Sequence, residues 1–179
     1  MKYDPEAAKA LLKEAGIREG TPFEILISPA AYAKVKEVAE AIAANLKAIG
    51  LDAKVRAMEQ AAWIQAFLAG EGQAWVAGWG TVTADGQFGL FLTYHSSFTG
   101  FKTKYANKDV DAYLEKARDS LKPDERLAAY KKAQEIIWDE MPMVPLYESP
   151  IAIGLSKHVK NFTVMPNFYN VVAVDTVLE

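Results

Sequence analysis

The stretch Gly78-Trp79-Gly80-Thr81-Val82-Thr83-Ala84-Asp85-Gly86 brings together an indole, a pair of hydroxyls, a carboxylate and several glycines. Such a set suits the holding of a small polar molecule: the ring stacks, the hydroxyls and carboxylate fix orientation, and the glycines admit a close backbone approach. It follows an apolar run, 74–78, that reads as a buried strand, and ligands of open α/β sheets sit outside the carboxyl ends of strands. The candidate ligand-binding residues are therefore Trp79, Gly80, Thr81, Val82, Thr83 and Asp85. A plainer reading uses the same residues: Trp79 packs on a neighbouring helix, Asp85 caps a turn, and the glycines only make the bend.

Catalytic and metal chemistry has much less to work with. His95 beside Ser96 and Ser97, with Asp85 as third member, can be cast as a hydrolase triad, yet no Gly-x-Ser-x-Gly elbow exposes a nucleophile. No catalytic residue is expected. His95 and His158 are the only histidines, no His-Glu-x-x-His spacing occurs and cysteine is absent, so no metal site is expected. Neither a dinucleotide nor a phosphate-loop pattern can be drawn through the glycines, and no cofactor is implied. With 20 basic against 23 acidic residues and a net charge of −3, the chain has no general attraction to nucleic acid. Its 179 residues, 51% hydrophobic, are enough for an ordered core. No apolar run approaches the ~20 residues that cross a bilayer, and residues 1–16 lack the apolar centre of a signal peptide, so the chain is expected to be soluble and to carry no export signal.

The elements that must position the 78–86 stretch can be read from caps and periodicity. Asp4-Pro5 opens a helix that Gly16 stops. Residues 23–28 read as a strand, 31–49 as a helix with Val35, Val38, Ile42 and Leu46 on one stripe, and 53–57 as an alternating strand. Strand, helix, strand in this order predicts a parallel pair with a right-handed crossover. A short helix at 60–69 ends at Gly70 and leads into 74–78, the third strand. Residues 79–100 read as a functional loop with at most a short helix around Phe88. Asn107 caps one helix, and Pro123 opens another that runs to about Glu140. Beyond it, 144–147, 151–155, 162–164 and 171–177 read as short strands.

Several segments in order resemble the extracellular solute-binding proteins of family 5, the peptide, nickel and glutathione type that serve ABC transporters. They are Tyr3-Asp4-Pro5-Glu6-Ala7-Ala8-Lys9-Ala10-Leu11-Leu12-Lys13-Glu14-Ala15-Gly16, then Asn45-Leu46-Lys47 with Ile49-Gly50, Gly78-Trp79-Gly80, and Met141-Pro142-Met143-Val144-Pro145-Leu146-Tyr147. Tyr105, Asn107, Val110 and Asp111, followed by Pro123, Glu125, Arg126, Tyr130, Ala133 and Gln134, fit the same pattern.

The resemblance implies an α/β fold, one lobe of the type II periplasmic-binding-protein architecture, with a mixed sheet flanked by helices and a β-rich C-terminal tail. It places the ligand-binding lobe at 1–150, and in 151–179 strands that in the family return to the other lobe. A small peptide or other small polar solute is the implied ligand, and a missing N-terminal lobe and an ABC transporter permease are the implied partners. The full-length parent is implied to be periplasmic or extracellular, as a soluble protein or a membrane-anchored lipoprotein, and non-catalytic. An unpaired strand edge in the tail invites a homodimer. A single lobe is expected to bind weakly, and a fragment or interaction domain without ligand function is the alternative. Peptide-binding members carry an aspartate three positions beyond the tryptophan, which holds the peptide's α-amino group. Val82 stands there in this chain, and Asp85 is the substitute anchor the loop offers.

Overall fold

The computed structural model describes residues 3–80, 83, 85–98, 104–148, 153–162 and 176–178. Two compact units divide the chain, Met1–Gly78 and Trp79–Glu179. The domain boundary expected at 150/151 falls on residues 149–152, outside the described ones.

The first unit is a three-stranded parallel sheet in the order β2-β1-β3, with strands Pro22–Ile27, Asp52–Ala57 and Ala74–Trp75. Its register runs from Pro22 opposite Asp52 to Ile27 opposite Ala57 on one side, and sets Leu26 opposite Trp75 on the other. Successive side chains of β1 take opposite faces of the sheet. Ile25 and Ile27 pack with Val35, Ala39 and Ala43 of α2 (Val35–Ala48), while Leu26 packs with Trp63 and Ala66 of α3 (Gln60–Ala69). A strand covered on both faces must be apolar at every position, which is why 25–27 reads Ile-Leu-Ile.

Helix α1 (Pro5–Glu14) starts as expected: the Asp4 carboxylate accepts from Ala7 N at 2.9 Å, with Pro5 in the first turn. None of its residues is fully buried: Ala8 and Leu12 are half-buried and Leu11 is exposed. Helix α2 begins four residues later than the periodicity suggests. Residues 29–34 form a turn closed by Ala31 N to Ser28 O and Val35 N to Tyr32 O, and Lys34 takes a left-handed φ of 61°. Helix α3 has the expected bounds, capped by Glu59 and ended by Gly70 at φ 71°. Strand β3 is shorter than the 74–78 run, because ladder pairing stops at Trp75; Val76 still donates to Leu26 O at 3.3 Å and stays buried.

In the second unit, residues 87–91 form a π-helical turn that continues as α4 (Leu92–Tyr94). Helices α5 (Lys108–Asp119) and α6 (Pro123–Glu140) follow, packed through Val110, Leu114, Ala133 and Ile137. Asn107 caps α5 by accepting from Asp109 N and Val110 N. The C-terminal strands are fewer than expected among the described residues. Val159–Lys160 (β4) pairs antiparallel with Val177–Leu178 (β5). Residues 144–147 and 153–155 are not strands: they pair with no ladder among the described residues, and Val144, Leu146, Tyr147, Ile153 and Leu155 stay exposed. The strands expected at 162–164 and 171–177 fall largely on residues outside the described ones.

Candidate functional site

The candidate loop leaves the first unit at Gly78, and a side chain cannot be added there. A Cβ on Gly78 would lie 2.6 Å from the Tyr32 ring, whose hydroxyl donates to Gly78 O at 3.2 Å. Lack of a side chain is thus a packing requirement at this position.

Trp79 is 45% exposed, yet its orientation is fixed. Its indole Nε1–H donates to Phe88 O at 3.3 Å, and its ring stacks on the Phe88 ring at 5.4 Å with an interplanar angle of 15°. The stack and the hydrogen bond together fix a half-exposed ring whose polar end is satisfied. The plainer reading, packing of Trp79 on a neighbouring helix, is replaced by packing on the first residues of the π turn.

Asp85 begins that turn. Its Oδ1 accepts from Gln87 N at 2.7 Å and from the Tyr130 hydroxyl at 3.3 Å, and its Oδ2 accepts from Arg126 Nη2 at 2.6 Å. The Gln87 N–H above all, then the Arg126 guanidinium and the Tyr130 hydroxyl, hold the carboxyl below its ordinary range. Arg126 is itself fixed, donating through Nη1 to Ala117 O at 2.8 Å. Thr83 accepts from Asp85 N through Oγ1 at 3.4 Å. Gly86 repeats the constraint of Gly78, since a Cβ would lie 2.9 Å from the Tyr130 ring.

Of the residues singled out in the sequence, Trp79, Gly80, Thr83 and Asp85 lie among the described ones, all in the second unit; Thr81 and Val82 lie outside them. Asp85 acts as the cap that the plainer reading assigned to it, and also as a link to α6. Phe88, Arg126 and Tyr130 are neighbours of this loop that the sequence pattern does not connect to it. A signal existed: Asp85 is the only Asp, Glu, Lys or Arg in residues 72–98. A lone acid in such a stretch has to find its cation elsewhere, and Arg126 and Tyr130 sit four apart on one helix face.

The hydrolase arrangement is not assembled. Asp85 pairs with Arg126, and His95 finds other partners. Its Nδ1 accepts from Ser97 N at 3.1 Å and lies 2.7 Å from Ser97 Oγ, its Nε2 lies 3.4 Å from Glu115 Oε1, and its ring stacks on Phe91 at 4.1 Å. Ser96 binds Asp111 through both its amide and its hydroxyl. The 95–97 segment therefore fastens the end of α4 to α5. Its amide donors are used internally, so none is left there for an oxyanion. Among the described residues no three His, Asp or Glu side chains gather as metal ligands.

Comparison with known proteins agrees with this architecture. Residues 1–101 match the model of the bacterial extracellular solute-binding proteins, family 5 Middle. The glutathione-binding protein GsiB of Salmonella choleraesuis (strain SC-B67) is 33% identical over 175 residues, 92% of this chain and 34% of that protein. Among solved structures, HbpA2 from Haemophilus parasuis superposes with a TM-score of 0.84 at 27% identity, over 99% of this chain and 36% of that one. The ABC transporter-associated periplasmic binding protein DppA from Helicobacter pylori, in complex with the peptide STSA, gives 0.73 at 32% identity over 81% of this chain and 29% of that one. The fold is that of the type II periplasmic binding proteins. The chain belongs to the family 5 extracellular solute-binding proteins, a family of binding proteins rather than enzymes. It spans about a third of the length of the curated relatives it matches.

Proposed function

We propose that this chain forms one wall of a solute-binding pocket for a small peptide or peptide-like molecule such as glutathione, without catalysing any reaction on it. The reading rests on one observation above the rest: Trp79, which follows the last strand of the parallel sheet by a few residues in sequence, is locked onto Phe88 by a stack and a hydrogen bond while 45% exposed. Carboxyl ends of parallel strands are where α/β folds take ligands. Trp79 supplies the contact surface, Gly80 and Thr83 the adjacent backbone and hydroxyl, and Asp85 holds the turn in place through α6. The relatives' names and bound ligands, glutathione and the peptide STSA, give the ligand class.

In the setting of a full-length relative, this wall works with a second one, the ligand closes the two together, and an ABC transporter reads the closed form in the periplasm or outside the cell. A pocket buries most of its ligand only when both walls are present, so this chain by itself binds weakly. Residues 1–150 carry this role and 151–179 belong with the opposing wall.

Titration with glutathione and short peptides, followed by indole fluorescence with Trp79→Phe in parallel, tests the proposal. A saturable change at up to millimolar ligand that disappears in Trp79→Phe is the expected result. An unchanged wild-type signal, or a response equal in both proteins, overturns it.

A further inference from the structure

The ladder that orders the first unit stops at Trp75, before the chain reaches Gly78 and the candidate loop. Sheet topology decides what can hold the residues between. In the parallel order β2-β1-β3, the segments that follow β1 and β3 leave side by side from the same edge. Val76 N still donates to Leu26 O at 3.3 Å, and beyond it the turn after β1 takes part. Because Lys34 is left-handed, α2 starts only at Val35 and leaves Tyr32 in that turn. The Tyr32 carbonyl accepts from Val35 N at 3.4 Å, its ring packs against the core around Ile25, Ile27, Val35 and Val76, and its hydroxyl donates to Gly78 O at 3.2 Å.

Ring and hydroxyl do different things. The ring fills the space that a side chain at 78 would need, with Cε1 only 2.6 Å from the position of a Cβ. Phenylalanine would serve that purpose equally well. The hydroxyl acts on the backbone: Gly78 C=O and Trp79 N–H belong to one planar peptide unit, so holding the oxygen fixes the plane on which Trp79 begins. Glycine gives that plane several other orientations to adopt once the bond is removed. A hydrogen bond of this kind favours one orientation by a factor of about five. Affinity falls in proportion as the competent orientation is less populated.

We propose that Tyr32 is a positioning residue for the solute site, its hydroxyl setting the Gly78–Trp79 peptide so that Trp79 is presented to the ligand. The inference rests on the solute-binding reading and extends the site to the turn after β1.

Tyr32→Phe tests this in the full chain, beside Val35→Ala, which thins the same core without touching Gly78. Glutathione and Leu-Phe are the probes; binding is read from the Trp79 indole N–H resonance, assigned by its loss in Trp79→Phe, and stability from urea unfolding. Tyr32→Phe is expected to bind about threefold to fivefold more weakly, with the backbone amide resonance of Trp79 displaced in the free protein. Val35→Ala should be the less stable of the two variants and bind as the wild type does. Wild-type affinity in Tyr32→Phe, or a Trp79 amide that stays in place, overturns the inference and leaves the solute-binding reading standing. Equal weakening in Val35→Ala also overturns it, by assigning the effect to packing rather than to the hydroxyl. If neither probe moves the wild-type indole resonance, the solute-binding reading fails and the inference fails with it.

Discussion

The two units are fastened by different physics. In the first, β1 is sealed between α2 and α3, with Ile25, Leu26 and Ile27 essentially without solvent exposure. In the second, a small apolar core between α5 and α6 is supplemented by polar fasteners: Asp85 to Arg126 and Tyr130, His95 to Ser97 and Glu115, Ser96 to Asp111, and Tyr105 with Asn107 to Glu140. Apolar burial neither titrates nor is screened by salt, whereas charged hydrogen bonds depend on pH and on ionic screening. The contrast teaches that the candidate site hangs on the adjustable part of the molecule.

Substitutions can break this contrast or sharpen it. The largest effect is expected for Leu26→Ala, which opens a cavity between the sheet and α3, beside Trp63 and Ala66; about 3 kcal/mol should be lost in urea unfolding, equally at all pH values. Gly86→Ala should cost about 2 kcal/mol by driving a methyl into the Tyr130 ring. A double-mutant cycle with Tyr130→Ala should return most of that loss, and additive costs would show that the ring is not what Gly86 avoids. Arg126→Met leaves Asp85 without its cation and should cost about 1.5 kcal/mol.

Acid gives a subtler test of the polar half. Because folding holds the Asp85 carboxyl below its ordinary value of 3.8, its contribution is present at neutral pH and is lost as pH falls through the lower folded value. Asp85→Asn should therefore be less stable than the wild type at neutral pH, with the gap closing in strong acid. A gap independent of pH would show that the ionised carboxylate is not what stabilises the fold at this position. The smallest effect on stability belongs to Trp79→Ala, about 0.5 kcal/mol or less at a half-exposed site, although this variant should lose the ligand response.

Local chemistry made much of the fold legible. Asp4-Pro5, Asn107, Pro123 and Gly70 each mark a helix end through a side chain or φ that acts within a few residues, and the structure places those ends where the residues require. What was not legible depends on partners distant in sequence. Val144, Leu146 and Tyr147 have the composition of a strand, but a strand needs a neighbour, and composition does not supply one. Residues 31–34 continue a helical pattern, yet a turn closing on Ser28 and the left-handed Lys34 delays α2. In the site, Trp79 was legible as a type of residue, but its clamp to Phe88 through a π turn was not, since that turn has no simple periodicity. In the sequence Asp85 reads as either a cap or an anchor; in the structure it caps the turn at Gln87 and pairs with Arg126, a partner 41 positions away.

The parallel pairing of β1 also bears on how the chain assembles. Pro22 must wait for Asp52, and Leu26 for Trp75, before any ladder can close, whereas α5 and α6 are joined by only Ser120–Lys122 and meet through nearby residues. Closing the longer segments costs more chain entropy before contacts reward it. The helical hairpin is therefore expected to protect its amides early in refolding, with the sheet as the slow step that sets the overall rate.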